Sequence, residues 1–450
     1  MKEQSAIYDA SQLGKAKMLV LGLQHLFAMF GATILVPILV NGYFHGEGLS
    51  VQVTLFCAGF GTLLFHLCTK FKVPAFLGSS FAFLGGFATV AELPEFANMS
   101  YGEKLPYACG GIVVAGALYF VLALLIKAVG VKTVMRFLPP VVTGPIIICI
   151  GLGLAPSAIS NASANWVLAL VALATVIVFN IWGKGMFRII PILMGVVIAY
   201  IVAIIMQLMG FTNADGSLII DTASIAQAGF VGLPPFVFAK FNVSAILVMA
   251  PIAIASMMEH VGDISAISAT TERNFIEDPG LARTLSGDGA ATMLAGLIGG
   301  PANTTYGENT GVLELSKVYD PRVIRIAAVF AVVLGFIPKL SAIFGTMPTA
   351  IVGGISFILY GMIAAIGVRN IVENQVDFKQ SRNLIVAAVI LVVGLGSNGL
   401  SIPLGGGNTL TITALALASL VGIILNAVLP GKDYVFGENV KKDEYRGIHM

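Results

Sequence analysis

Fourteen apolar runs of about bilayer-spanning length occupy most of this chain of 450 residues. A bilayer core is about 30 Å thick, so a spanning helix needs about 17–25 mostly apolar residues. Only 11% of the residues are charged, against about 25% in a soluble domain. The sequence therefore predicts an all-α polytopic membrane protein. Its predicted spans are 18–40, 51–69, 74–91, 107–129, 138–156, 165–182, 189–210, 244–268, 284–299, 301–316, 323–337, 346–366, 383–398 and 409–429.

The basic residues predict the orientation of these spans, because cytoplasmic loops of membrane proteins accumulate Lys and Arg. If both termini are cytoplasmic, only Lys104, Lys240 and Lys339 among the 25 basic residues lie in outer loops. We therefore expect cytoplasmic N- and C-termini. A net charge of +2 gives no reason to expect a nucleic-acid partner.

The chain divides at its longest polar connection, 211–243. A cytoplasmic segment, 1–17, precedes a first seven-span repeat, 18–210. A second repeat, 244–429, is followed by a charged cytoplasmic tail, 430–450. Because seven is odd, the second repeat enters the membrane in the opposite orientation. This arithmetic predicts an inverted repeat, in which the substrate site lies where corresponding helices are broken.

The third and tenth predicted spans are the broken ones. The third contains Pro74, Gly78 and two serines, and the tenth follows Gly300 and contains Pro301 and Gly307. Irregular backbone at membrane depth persists only where protein or a water-filled cavity satisfies its polar groups. We therefore predict two facing extended segments, each leading into a half helix whose N-terminus points at a ligand.

Glu259, Asp263 and Glu308 lie at membrane depth, where an ionisable side chain is by default a functional-site candidate. Glu259 and Asp263 are spaced i, i+4 and share one helix face. Burial and mutual repulsion penalise two adjacent negative charges, so we hypothesise that this pair couples substrate to protons. Glu308 begins the half helix of the tenth span. It either caps that helix or accepts hydrogen bonds from a planar ligand such as a nucleobase.

Other polar and aromatic residues are candidates to border the cavity. His25 in the first span either lines the cavity or ties its helix to a neighbour. Ser356 and Tyr360 in the twelfth span are open to the same two interpretations. The remaining candidates lie on the broken spans and are Ser80, Phe81 and Tyr306.

On these motifs the chain resembles the nucleobase–ascorbate transporter family, also called the second nucleobase:cation symporter family. The resemblance extends from GLQHLFAMFG at 22–31, through EHVGD at 259–263, to GGIS at 353–356. The family signature is an acid, Gln or Pro, then Asn-x-Gly, four residues, Thr, and a basic residue or Gly. It appears as ENTGVLELSK at 308–317, with Ser316 in place of Thr.

The resemblance implies fourteen spans in two inverted repeats, with a core domain (spans 1–4 and 8–11) moving against a gate domain (spans 5–7 and 12–14). It also implies a homodimer that imports uracil with a proton, by alternating access, across a bacterial inner membrane. Glu259 and Glu308 would bind uracil, the backbone amides of Phe81 and Gly307 would donate to its carbonyls, and Tyr306 would lie beside it. The coupling position, His in some members, is Asp263 here.

Three alternatives remain open at this stage. An ion channel would need a continuous pore lined by carbonyls or charged rings, which the paired broken spans disfavour. A transporter of the same fold could carry an inorganic anion, but two carboxylates facing the cavity would repel it. Another nucleobase, such as xanthine or another purine, could replace uracil. We expect no enzymatic activity, no metal and no cofactor apart from the coupling proton, because the motifs contain no nucleophile–base pair or metal-ligand set.

Overall fold

The computed structural model describes residues 6–213, 216–405, 408–431 and 434, and nearly all of its regular structure is helical. The α-helices of this part of the chain are α1 Lys15–Tyr43, α2 Val51–Cys68, α3 Leu84–Ala91, α4 Tyr101–Val129, α5 Val131–Met135, α6 Pro140–Gly153, α7 Ala155–Ser163, α8 Trp166–Trp182, α9 Met186–Ile189, α10 Pro191–Leu208, α11 Thr222–Gln227, α12 Val243–Met249, α13 Ala253–Thr271, α14 Leu281–Leu297, α15 Gly307–Ser316, α16 Pro321–Leu334, α17 Pro338–Gly345, α18 Thr349–Glu373, α19 Ser381–Gly396 and α20 Ala414–Val428. The strands are β1 Leu77–Ser79, β2 Asn303–Thr305, β3 Leu400–Gly405 and β4 Asn408–Ile412.

Several helical stretches are suited to a bilayer, which makes this a multi-pass membrane protein. Seven described stretches are long and apolar enough to cross a membrane: Lys15–Tyr43, Val51–Cys68, Tyr101–Val129, Pro140–Ser163, Pro191–Leu208, Val243–Thr271 and Thr349–Glu373. Shorter apolar helices accompany them at Phe81–Ala91, Trp166–Trp182, Ser381–Gly396 and Ala414–Val428.

Each predicted apolar run contains a helix, but two runs are shaped differently from the prediction. The run 323–337 ends its helix at Leu334, and α17 then departs from the direction of α16 by 82°. The start of the run 409–429 was wrong, because Asn408–Ile412 is a strand paired with β3 and α20 begins only at Ala414. The β-branched residues of this Asn-Thr-Leu-Thr-Ile sequence favour extended backbone.

The two segments predicted to be extended are strands that pair with each other. Leu77 lies opposite Thr305, and Ser79 lies opposite Asn303, in an antiparallel register. Backbone bonds continue beyond both ends, from Ser80 N to Ala302 O at 2.8 Å and from Tyr306 N to Phe76 O at 2.9 Å. The strands therefore satisfy each other's polar backbone groups, as a low-dielectric setting requires.

A threonine from a neighbouring helix holds the first residue of each strand. The Thr62 hydroxyl of α2 donates to Leu77 O at 3.2 Å and accepts from Leu77 N at 2.9 Å. The Thr292 hydroxyl of α14 donates to Asn303 O at 3.0 Å and accepts from Asn303 N at 3.2 Å. Both strands are thus fixed to rigid helices by the same pattern of bonds.

The helices pack in two sets around the paired strands. In one set, α14 packs against α2 and α4, and α16 packs against α1 and α2. In the other, α18 packs against α6, α7 and α8, while α19 packs against α6 and α20. Helix α13 contacts both sets, through α4 and α14 on one side and through α6 and α20 on the other.

The predicted terminal segments are described only in part. Within 1–17, the described residues begin at Ala6, and Ile7 forms a parallel bridge with Val318. Hydrogen bonds from the hydroxyl and backbone amide of Ser11 lower the pKa of the nearby Asp9 carboxyl. Most of the predicted tail, 430–450, lies outside the described residues.

Replacing Gly78 with alanine is expected to destabilise the paired strands. A Cβ at this position would overlap the ring of Tyr306, and overpacking of this kind costs about 1–3 kcal/mol. Gly85→Ala is the matched control, because a Cβ there meets nothing within 4 Å and alanine favours the helix. Thermal unfolding of the purified protein should give a lower midpoint for Gly78→Ala alone. Equal midpoints would contradict the predicted close packing.

Candidate functional site

The three predicted acids meet beside the paired strands. Helix α13, which carries Glu259 and Asp263, lies against both β2 and α15, and Glu308 is the second residue of α15. A Cβ added to Gly307 would lie 3.7 Å from Asp263 Oδ1, so this carboxyl group faces the start of α15. Glu308 follows Gly307 directly, so it lies at the same end of α15 as the Asp263 carboxyl group. The broken backbone and the acids therefore form one site.

These carboxyl groups are not all satisfied by the protein. Asp263 is 7% exposed, whereas Glu259 and Glu308 are half-buried. The Oε2 atom of Glu259 is buried and has no hydrogen-bond partner among the described residues. A buried polar atom without a partner is costly, so this oxygen is suited to receive a hydrogen bond from a ligand or to carry a proton.

A helix N-terminus follows each of the two paired strands. Phe81 opens a 3₁₀ turn, Phe81–Phe83, that runs directly into α3, and Gly307 opens α15. The first amides of a helix have no acceptor within that helix, and the helix dipole adds partial positive charge there. Ser80, just before Phe81, has a buried hydroxyl without a partner among the described residues. The site therefore offers hydrogen-bond donors as well as carboxylate acceptors.

Tyr306 fixes the strands to each other through its hydroxyl group. This hydroxyl donates to Ser79 O at 2.9 Å and accepts from Thr33 Oγ1 at 3.3 Å. The side chain is only 4% exposed. Its polar atom is therefore engaged in the fold, and its ring packs closely against Gly78.

Helix α18 approaches the site from the other set of helices. The ring of Tyr360 packs edge-to-face on Phe81, with ring centroids 6.2 Å apart. The hydroxyl groups of Tyr360 and Ser356 are both buried, and neither has a hydrogen-bond partner among the described residues. The structure therefore places Tyr360 against a predicted site residue, with Ser356 one turn away on the same helix.

His25 joins α1 to α15. The Nδ2 group of Asn309 donates to His25 O at 2.9 Å and lies 3.2 Å from His25 Nδ1. The His25 side chain is fully buried, and its Nε2 atom has no described partner. Of the two interpretations of His25, this contact favours the tie between helices.

Asp288 is a buried acid that the sequence analysis missed. Its Oδ2 atom lies 2.9 Å from His260 Nδ1, and both side chains are fully buried. His260 Nδ1 also lies 2.9 Å from Thr305 Oγ1. This cluster connects α13, α14 and β2 directly behind the site. The sequence did carry the signal, because Asp288 is an acid inside the predicted span 284–299 and meets the same criterion as Glu259.

Apolar helices, two of them interrupted beside buried acids, define this molecule as a membrane transport protein. Residues 16–400 match the family model of the xanthine and uracil permeases, described as Permease family. The chain belongs to this family, the nucleobase–ascorbate transporters, and is therefore a permease rather than an enzyme.

Among the described residues, no group of three or more His, Cys, Asp or Glu is arranged to hold a metal ion.

Several bacterial relatives match over almost the whole chain. The uracil permease of Bacillus caldolyticus is 41% identical over 440 residues, which cover 94% of this chain and 95% of that protein. The uracil permease of Bacillus subtilis strain 168 is 40% identical, with 91% of each chain covered. The uracil permease of Escherichia coli K12 is 35% identical, with 91% and 90% covered.

Solved transporter structures share the fold. The transmembrane domain of the cyanobacterial bicarbonate transporter BicA has a TM-score of 0.60 at 16% identity, covering 94% of this chain and 99% of that one. The SLC26A9 structure has a TM-score of 0.62 at 11% identity, covering 93% and 66%. At these identities the likeness establishes the fold alone.

Removing Asp288 is expected to destabilise the protein strongly. Asp288→Ala would leave the buried His260 Nδ1 with Thr305 Oγ1 as its one neighbouring polar atom, and removing one partner of a buried polar group costs about 1–3 kcal/mol. The exposed pair of Lys72 and Asp278, 2.5 Å apart, provides the control, since exposed pairs contribute about 0–1 kcal/mol. Thermal unfolding should therefore separate Asp288→Ala from Asp278→Ala. Similar midpoints for the two variants would show that the buried pair is not important for stability.

Proposed function

We propose that this protein imports uracil together with protons across a bacterial plasma membrane. The observation that carries the proposal is the convergence of Glu259, Asp263 and Glu308 on two paired strands and two helix N-termini. The bacterial relatives named as uracil permeases, at 35–41% identity, support the choice of substrate.

Uracil is chemically complementary to this site. Its flat ring carries two N–H donors and two carbonyl acceptors. The carboxylates of Glu259 and Glu308 accept from the N–H groups, and such charge-assisted bonds are about twice as strong as neutral ones. The amides of Phe81 and Gly307 donate to the carbonyls, while the rings of Phe81 and Tyr306 border the base.

Asp263, together with Glu259, provides the coupling to protons. The carboxyl groups of Asp263, Glu259 and Glu308 repel one another in a poorly solvated setting, and binding a proton at Asp263 removes one of the charges. Protonation from the outer side therefore favours a site in which the other acids are free to bind substrate. Release of the proton inside restores the repulsion and favours release of uracil.

The proposed architecture is fourteen spans in two inverted seven-span repeats. Two observations support this symmetry: β1 and β2 pair antiparallel, and the bonds of Thr62 to β1 match those of Thr292 to β2. The set containing α1, α2, α4, α14 and α16 is the core domain, and the set containing α6–α8 and α18–α20 is the gate domain. Alternating access then consists of movement of the core against the gate, with Phe81 and Tyr360 in contact across the boundary.

The proposal also includes the orientation, the coupling species and the oligomeric state of the protein. The termini face the cytoplasm, the proton is the only coupling species, and the functional form is a homodimer. Large apolar side chains exposed on α8 and α10, including Ile181 at 64% and Ile201 at 50%, support contact with lipid.

Two other substrates are less well supported. An inorganic anion is suggested by the fold shared with a bicarbonate transporter, but the acids of the site would repel it. A purine such as xanthine shares the hydrogen-bonding chemistry of uracil. A binding series of pyrimidines and purines therefore distinguishes these candidates from uracil.

Counterflow in proteoliposomes tests the proposal as a whole. Labelled uracil should enter faster when unlabelled uracil is present inside, because a carrier returns more quickly when loaded. Unlabelled xanthine and bicarbonate should produce no such acceleration. If uracil inside leaves the initial rate unchanged, the protein does not exchange uracil by alternating access.

Glu308→Gln is expected to weaken uracil binding about tenfold, because an ionised acceptor is replaced by a neutral one. Glu314→Gln is the matched control, since Glu314 lies on the same helix but is exposed. Equilibrium binding of labelled uracil to the purified variants measures the difference. Equal affinities in the two variants would place the uracil site elsewhere.

Asp263→Asn is expected to uncouple uptake from the pH gradient while preserving equilibrium binding. The amide has nearly the same shape but does not titrate, so it cannot carry the proton. In proteoliposomes with an imposed pH gradient, the variant should equilibrate uracil without concentrating it. Accumulation equal to that of the unmodified protein would show that another residue carries the coupling proton.

A further inference from the structure

We propose that a cleft at the ends of α2, α4 and α14 binds the headgroup of an acidic phospholipid. The cleft has a volume of about 340 Å³ and is separate from the acid cluster of the candidate site. We call it the headgroup cleft. Its lining includes Cys68, Phe120, Leu124, Lys127, Arg283 and Ser286.

The headgroup cleft lies at the ends of three helices. Cys68 is the last residue of α2, Lys127 lies in the last turn of α4, and Arg283 is the third residue of α14. Under the proposed topology these helix ends lie on the cytoplasmic side. Basic pockets between helices on that side are suited to acidic lipid headgroups.

The charges of the cleft are positive and concentrated. Arg283 Nη1 donates to Cys68 O at 3.4 Å, which holds the guanidinium at the cleft while its other N–H groups remain as donors. Gly280, the N-cap of α14, provides no side-chain cap, so the positive end of that helix dipole faces the same region. None of the eight lining residues is acidic, and the nearby Asp278 is paired with Lys72.

The apolar part of the cleft distinguishes a lipid from a free anion. Phe120 and Leu124 are one helical turn apart on α4, and Lys127 continues the same face. Phe120 is 36% exposed and Leu124 is 65% exposed. An apolar surface that leads into a pair of cations matches an acyl chain followed by a phosphate. Inorganic phosphate would use only the cationic end.

Lipid retention by the purified full-length protein tests this inference. Native mass spectrometry after incubation with phosphatidylglycerol or phosphatidylcholine should show preferential retention of phosphatidylglycerol. The double variant K127Q/R283Q should reduce that retention by about 25-fold, at about fivefold for each cation near the membrane surface. The matched control is K184Q/R188Q, which removes one exposed Lys and one exposed Arg elsewhere on the same predicted side. Equal losses in the two double variants would overturn the proposal.

Four further measurements separate a bound lipid from free phosphate and from a lost fold. Excess inorganic phosphate should not displace phosphatidylglycerol, whereas displacement would identify a site for free phosphate. F120A/L124A should also lower retention, because it removes the surface that contacts the acyl chain; unchanged retention would contradict this role. Thermal unfolding identifies a variant that has lost its fold, and uracil binding should be unchanged in K127Q/R283Q. Loss of lipid without loss of uracil binding therefore tests this inference independently of the proposed transport function.

Discussion

The antiparallel pairing of β1 with β2 is the constraint on which the rest of the site depends. Helices that stop at membrane depth expose amides and carbonyls that lipid cannot satisfy. Here each three-residue strand supplies partners for the other, and Thr62 and Thr292 add side-chain bonds. Because the pairing allows both helices to begin at this depth, it also determines where their N-termini and Glu308 lie.

Helix α13 serves two purposes on two of its faces. Glu259 shares a helix face with Asp263, whose carboxyl group faces the start of α15, whereas the next residue, His260, contacts Asp288 and Thr305 behind it. Successive residues on a helix do not share a face. Glu259 can therefore face the candidate site while the adjacent His260 supports β2. The buried pair therefore helps to hold in place a site whose own charges repel one another.

The sequence allowed the extended segments to be predicted because their Pro, Gly and polar residues cannot continue an ordinary membrane helix. It did not reveal the register of Leu77 with Thr305, which depends on contacts between residues far apart in the chain. The strand at Asn408–Ile412 was missed because its residues extend an apolar run. The contact between His260 and Asp288 was also missed. Helical spacing predicts which residues of one helix lie side by side, but these two residues lie on different helices. Coupling by Glu259 and Asp263 and ligand binding by Glu308 were hypothesised from position and spacing, whereas uracil binding by Glu259 was inferred from the motif resemblance.

Pairing across the two halves has a consequence for biosynthesis. Ser79 and its hydrogen-bond partner Tyr306 are 227 residues apart in the chain. The first half therefore emerges from the ribosome with an unpaired strand. The polar backbone groups of this strand gain their hydrogen-bond partners only when the second half is inserted. Neither half can pair its own strand. If the chain were produced as two fragments divided at the polar connection, both would have to be present in the same membrane before either could fold completely.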